Sequence, residues 1–357
     1  MIVEEKYMAR CFSLARGGEG NTTPNPMVGA VIVHDGKIIG EGFHRKCGEA
    51  HAEVNAIASV KDEALLREST LYVSLEPCSH YGKTPPCAEL IIRKQIPRVV
   101  VGCLDPFPEV SGRGVRMLRE AGVEVVTGVL ENEACILNPG FMTAQLLKRP
   151  YICLKWAQSK DGYIDKARTD ASRPAAVLSS SETLRHVHHL RAKVAAIMVG
   201  TQTALLDNPS LTVRHWAGNS PVRVVLDREL RIPEHYHLLD GTVRTLVFTA
   251  KNSLDRPNVE YITLDYAADI LPQVLHQLYL RKLDSLLVEG GAHLLKSFLN
   301  AGLWDEICRE ISPVVLDSGV KAPEVSGYLY DFENHNNHLV QTFFPEVPLA
   351  DNHTKIL

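Results

Sequence analysis

Apolar runs of strand length alternate with stretches of helical period along most of the chain. Tyr7, Met8, Cys11, Phe12 and Ala15 recur near helical spacing, which predicts a helix over 4–16 that Gly17-Gly18 stops. Residues 27–33 and 37–42 read as two strands joined by a tight turn at Asp35-Gly36. A helix opens at His51 and runs to about Ser59. A short strand covers 71–74, and Pro85-Pro86 suits the first turn of a helix bearing Cys87, Leu90 and Ile91. Strands at 98–102 and 123–126 flank a helix at 112–121, and 130–148 reads as one helix leading out of a first domain.

The pattern restarts after Arg149-Pro150, giving domains at 1–148 and 149–357. Strands are predicted at 151–155, 195–200, 222–226, 245–248 and 285–289, with helices at 180–192, 272–280 and 293–301. Strands alternating with helices imply an α/β architecture with a mainly parallel sheet. Residues 317–357 carry the least pattern.

Two domains also suit a chain of 357 residues. A net charge of −4 argues against broad binding of nucleic acid, yet leaves room for a local cationic site on a phosphorylated small molecule. No apolar stretch is long enough to span a membrane. The eight cysteines are thinly spread and do not form a disulfide framework, so a cytoplasmic location is the default expectation.

The candidate chemistry lies in His51-Ala52-Glu53 and in the run from Pro77-Cys78 to Cys87. One His and two Cys give a tetrahedral zinc three ligands and leave a position for water, whose pKa the metal lowers. Glu53 is a carboxylate free to move protons. The residues alone leave two other readings open. One is a zinc deaminase of another nucleoside or base with a repurposed second half. The other is a structural zinc closed by His80 or Cys47. His186 and His189 could share a helix face, but nothing near them in sequence completes a metal site, so they read as a surface face.

H-x-E followed by P-C resembles the zinc nucleobase deaminases, although Tyr81 stands where their second P-C-x-x-C cysteine would be. The longer run Leu75-Glu76-Pro77-Cys78-Ser79-His80-Tyr81-Gly82-Lys83-Thr84-Pro85-Pro86-Cys87 resembles the bifunctional riboflavin-biosynthesis deaminase/reductase family. That resemblance implies a cytidine-deaminase-like α/β/α domain with Zn²⁺ on His51, Cys78 and Cys87. It makes Glu53 catalytic and assigns Asn25, His44, His80, Lys83 and Asp105 to the substrate.

In the second half, Leu154-Lys155, Ser159, Asp161-Gly162, Gly200 with Thr203, the run from Asp207 to Arg214, and Glu289-Gly290-Gly291 resemble the reductase part of the same family. The implied fold is dihydrofolate-reductase-like and the implied cofactor is NADPH. Ala157, Thr203, Asp207, Gly290, Gly291, Ala292 and His293 fall on cofactor-contacting positions. Arg191, Leu211, Arg214 and Glu289 fall on substrate-contacting ones, where guanidinium groups suit a ribose phosphate. Four places depart from the family: Phe107 replaces a usual Asn, Val177 a Trp, Arg228 a frequent Ser, and Asp317-Ser318-Gly319 a more glycine-rich pair. The implied reaction is deamination of a diamino-ribosylamino-pyrimidinone phosphate followed by reduction of its ribosyl chain. A dimer or tetramer is expected, with neither nucleic acid nor membrane as partner.

Overall fold

Strand residues in the first half are apolar on both faces, and each face has its own helical layer. Ala30 and Ile32 join one core cluster with Leu71, Val73, Val99 and Val101, while Val31, Val33, Tyr72 and Val100 join the other. This period of two explains why the strands read as unbroken apolar runs. The computed structural model describes residues 3–81, 85–107 and 111–345, which divide into two units meeting at Lys148 and Arg149.

The first unit holds strands β1 (Gly29–His34), β2 (Lys37–Phe43), β3 (Thr70–Leu75), β4 (Arg98–Cys103) and β5 (Glu124–Val126), in the order β2-β1-β3-β4-β5. β1 runs antiparallel to β2 and β3, whereas β3, β4 and β5 are parallel. Asp35 and Gly36 both have positive φ, as a two-residue hairpin turn requires. Helices α2 (Ala52–Ala58), α3 (Cys87–Arg93) and α4 (Arg113–Glu120) cover one face. On the other lie α1 (Glu5–Ala15), α5 (Glu131–Ile136) and α6 (Pro139–Leu147). A Cβ at Gly42 would fall 2.3 Å from the Ala56 backbone nitrogen, so glycine there lets β2 carry α2 at close range.

The single helix expected over 130–148 is two helices. Pro139, which has no N–H to give, opens the second, and Asn138 occupies the break. The buried Asn138 side chain accepts from Met27 N–H at 2.7 Å and donates to Met27 C=O at 2.8 Å.

The second unit contains β6 (Tyr151–Gln158), β7 (Tyr163–Asp165), α7 (Ser181–Lys193), β8 (Ala196–Gly200) and α8 (Thr201–Asp207). Next come β9 (Val222–Leu226), β10 (Thr245–Thr249), β11 (Val259–Thr263), α9 (Ile270–Leu280), β12 (Ser285–Val288) and α10 (Ala292–Asn300). β13 (Glu306–Ile311), β14 (Val320–Lys321), β15 (Tyr328–His335) and β16 (His338–Phe344) complete it. The nine-stranded sheet runs β11-β10-β9-β8-β12-β6-β13-β16-β15, parallel as far as β13 and antiparallel beyond. Ser180 caps α7 through a reciprocal pair with Thr183. Residues 317–345, where the sequence pattern is weak, supply β14 to β16. Nearly all of β15 is exposed, so it has no alternation to read. Among the described residues, no helix is long and apolar enough to cross a membrane.

Candidate metal centre and reductase site

Both ligand segments begin helices. His51 is the N-cap of α2, and Cys87 is the first residue of α3. Cys78 leaves the end of β3 through Pro77, and its sulfur accepts the Cys87 backbone N–H at 3.2 Å. His51 Nδ1 lies 3.6 Å from Cys78 Sγ and 3.4 Å from Cys87 Sγ, and the three donor atoms all fall within 4.8 Å of one another. Zinc bonds of about 2.3 Å to sulfur and about 2.0 Å to nitrogen give a tetrahedron an S···N edge of about 3.5 Å. The donor set therefore fits zinc in both chemistry and spacing. It is the only cluster of its kind among the described residues, and neither Cys47 nor His80 belongs to it.

Electrostatics favour a thiolate here. The hydrogen bond from Cys87 pulls the Cys78 thiol down, with His51 adding to the effect, while Cys87 is pushed up. Glu53, 3% exposed on the first turn of α2, feels Cys78, His51 and Cys87. Burial, reinforced by the Cys78 charge, pushes its carboxyl up to about 7.

Asn25 and His44 meet beside this cluster. His44 Nδ1 lies 3.1 Å from the Ala50 carbonyl and so carries the ring proton, which leaves Nε2 to accept from the Asn25 amide at 3.3 Å. The His44 ring stands edge-on to His51 with centroids 5.4 Å apart. Burial holds His44 below its usual pKa. His80 is exposed. Lys83 lies outside the described residues. Asp105 is half-buried, accepts from Phe107 N–H at 2.9 Å and is pushed up by burial.

One residue of this region has no counterpart among the sequence-based expectations. The buried Glu76 carboxylate accepts backbone N–H groups from Asp105, Gly112 and Val115 at 2.9–3.1 Å. It anchors both the Asp105 loop and the start of α4 to the residue before Pro77-Cys78. A carboxylate ending an otherwise apolar strand was the available signal.

In the second unit, β8, β12 and β6 are neighbours, and near their carboxyl ends Thr203 meets Gly291 and Arg191 meets Glu289. Gly291 has φ +71°, and a Cβ on it would lie 3.1 Å from Thr203 Oγ1. A Cβ on Gly290 would meet the Val199 side chain at 2.8 Å. Ala292 opens α10, His293 is exposed, and Ala157 lies late in β6. Arg191 grips Glu289 with two bonds of 2.8 and 2.6 Å and donates to the Thr212 carbonyl at 3.2 Å. Asp207 is bound by Arg168 at 2.6 Å. Leu211, 3% exposed with φ +52°, packs into the core, whereas Arg214 is exposed. Lys155 is buried in β6, where its charge helps to hold Glu289 ionised. The expected surface face at His186 and His189 is half-buried, and His188 between them is fully buried. His186 lies near His335, while His188 and His189 meet His215 and Trp216, contacts that spacing alone did not reveal.

Residues 1–103 match the cytidine and deoxycytidylate deaminase zinc-binding region, and residues 150–329 match the RibD C-terminal domain. The chain is 42% identical to the riboflavin biosynthesis protein RibD of Aquifex aeolicus, covering 89% of each chain. It is 37% identical to the Escherichia coli RibD, covering 89% of this chain and 90% of that one. The chain belongs to the RibD family. A crystal structure of the Thermotoga maritima diaminohydroxyphosphoribosylaminopyrimidine deaminase/5-amino-6-(5-phosphoribosylamino)uracil reductase superposes with TM-score 0.86 at 37% identity, covering 96% of this chain and 98% of that one. The RibD relationship gives the first unit a cytidine-deaminase-like fold and the second the fold of a RibD reductase domain. As a RibD protein the chain is a bifunctional enzyme of riboflavin biosynthesis. The positions that depart from the family are also visible. Val177 is 83% exposed, Arg228 pairs with Glu229 and lies 5.2 Å from the Tyr266 ring centre, and Phe107 lies under the Lys148 ammonium.

Proposed function

We propose that the first unit removes ammonia from 2,5-diamino-6-ribosylamino-4(3H)-pyrimidinone 5′-phosphate, and that the second reduces the ribosyl chain of the product to ribityl with NADPH. The convergence of His51, Cys78, Cys87 and Glu53 beside the Asn25–His44 pair carries this reading.

Zinc held by His51, Cys78 and Cys87 supplies Lewis acidity that eases loss of a proton from water near neutral pH. The Glu53 carboxylate takes that proton and gives it to the ring nitrogen, then takes a second from the added hydroxyl and gives it to the amine as the C–N bond breaks and the carbonyl forms. Asn25 and His44 orient the ring edge, Asp105 accepts from a ribose hydroxyl or ring amine, His80 contacts the substrate, and the Lys83 charge suits its phosphate.

In the second unit, the close-packed Gly290-Gly291 turn at the start of α10 fits a dinucleotide phosphate. Thr203, Asp207, Ala157, Ala292 and His293 would complete its surroundings. NADPH supplies the hydride that the opened ribosyl carbon requires. Arg191 and Arg214 hold the substrate phosphate, with Glu289 fixing Arg191 and Leu211 shaping the pocket wall.

A soluble, cytoplasmic setting with small molecules as partners suits the composition and net charge. The edge strand β15 exposes Tyr328, Leu329, Tyr330 and Phe332, a surface fitted to pairing with a second copy of the chain. Charged residues at Tyr330 and Phe332 should then lower the mass measured by light scattering.

The deciding experiment supplies the pyrimidinone phosphate to zinc-loaded protein, with and without NADPH, and follows ammonia and NADPH absorbance. Ammonia without NADPH, then oxidation once NADPH is added, is expected. Ammonia from cytidine or guanine instead would overturn the substrate assignment.

A further inference from the structure

His188 is a buried titratable group near the reductase arginines, and no substrate role accounts for it. It lies on α7, three residues before Arg191, so the two share one helix face. Each reaches the same loop. Arg191 donates to the Thr212 carbonyl at 3.2 Å, and His188 Nδ1 accepts the Arg214 backbone N–H at 2.9 Å. The Arg214 guanidinium then donates to Thr212 Oγ1 at 3.1 Å. The loop is thus fixed to α7 at two backbone atoms, one on each side of Val213.

An imidazole that accepts at Nδ1 carries its proton at Nε2. That atom is buried and has no hydrogen-bond partner among the described residues, while the His215 ring stands perpendicular with its centroid 4.7 Å away. Burial, with Arg191 and Arg214 adding repulsion, holds His188 down at about 4, so the accepting lone pair persists at neutral pH.

We propose that His188 is a positioning residue of the reductase, which sets the Arg214 side chain for the substrate phosphate by holding the Arg214 backbone N–H. The proposal rests on the phosphate role given to Arg214 above and deepens it. The Arg214 side chain is exposed and donates to Thr212 Oγ1 of its own loop, so a shift of its backbone carries the guanidinium with it. Arg191 fixes the Thr212 carbonyl and Ser220 the Val213 N–H, and neither holds the peptide after Val213.

The test uses the full chain with the deaminated substrate and NADPH, and a denaturant melt of each variant reports on folding. Asn at 188 puts its carbonyl oxygen where Nδ1 was, whereas Gln puts it near Nε2. Gln is closer to His in volume, so a purely packing role predicts that H188Q is the better tolerated. Positioning predicts the reverse: H188N stays near the parent, and H188Q and H188L raise the KM about five- to tenfold with little change in kcat. In an R214A background, H188Q should add nothing. Equal KM for H188N and H188Q overturns the proposal while R214A still raises KM. If R214A leaves KM unchanged, the phosphate role of Arg214 fails and the positioning role falls with it.

Discussion

The amide nitrogen of Asn25 lies 3.3 Å from Nε2 of His44, whose ring stands edge-on to His51 of the candidate metal centre. Because the Ala50 carbonyl engages Nδ1, His44 can present only an acceptor to Asn25. Asn25→Ala should raise the deaminase KM several-fold, to about tenfold at most. His44→Ala should cost a similar amount, and the double variant less than the sum, because the residues touch. Strict additivity in steady-state ammonia release would mean that the two act separately.

Removal of zinc should split the two activities. Chelated protein is expected to lose ammonia release while still oxidising NADPH on deaminated substrate, and elemental analysis should find one zinc per chain on reloading. Glu53→Gln should keep that zinc and lose about 10²- to 10⁴-fold in deamination. A variant that released ammonia at the parental rate would remove Glu53 from proton transfer.

The Arg191–Glu289 pair carries a pH signature. Burial pushes the Glu289 carboxyl up, but the two bonds from Arg191 override it and hold the group below its usual 4.5. A depressed carboxyl contributes stability that is present above that value and lost as pH falls through the folded pKa. Glu289→Gln should therefore destabilise the second unit at pH 7 by about 3 kcal/mol or more, since Arg191 is left buried without its partner. The gap should shrink below about pH 4.5, as denaturant melts from pH 3 to 7 would show. A gap independent of pH would assign the loss to packing.

Val177 is 83% exposed where the family resemblance leads one to expect Trp. If that position faces the cofactor, Val177→Trp should lower the KM for NADPH by about two- to tenfold. An unchanged KM would place the departure outside the cofactor's reach.

What the sequence disclosed depended on where each residue finds its partners. Strands such as Val99 to Val101 were legible because they are buried on both faces. The cluster of His51, Cys78 and Cys87 was legible because spacing and residue type name the chemistry of a metal site. β15 was not, since exposure along its length leaves no alternation, although Asn336-Asn337, both with positive φ, marks its turn. Glu76 and His188 were illegible for a different reason. Their partners are backbone N–H groups 26 to 39 residues away, and no side-chain pattern advertises such a bond. Pro139 did announce the break in the 130–148 helix, but the apolar period continues through it.

Asn138 has a consequence for dissecting the protein. Its amide exchanges two hydrogen bonds with the Met27 backbone, as a strand residue would, and so holds the chain two residues beyond Asn25. The sheet of the first unit is complete at Val126, yet a fragment cut there would release the Asn25 loop. The shortest autonomous deaminase must therefore extend past Asn138, because a truncation placed just after the last strand would both strip α5 and α6 from one face of the sheet and slacken the substrate loop.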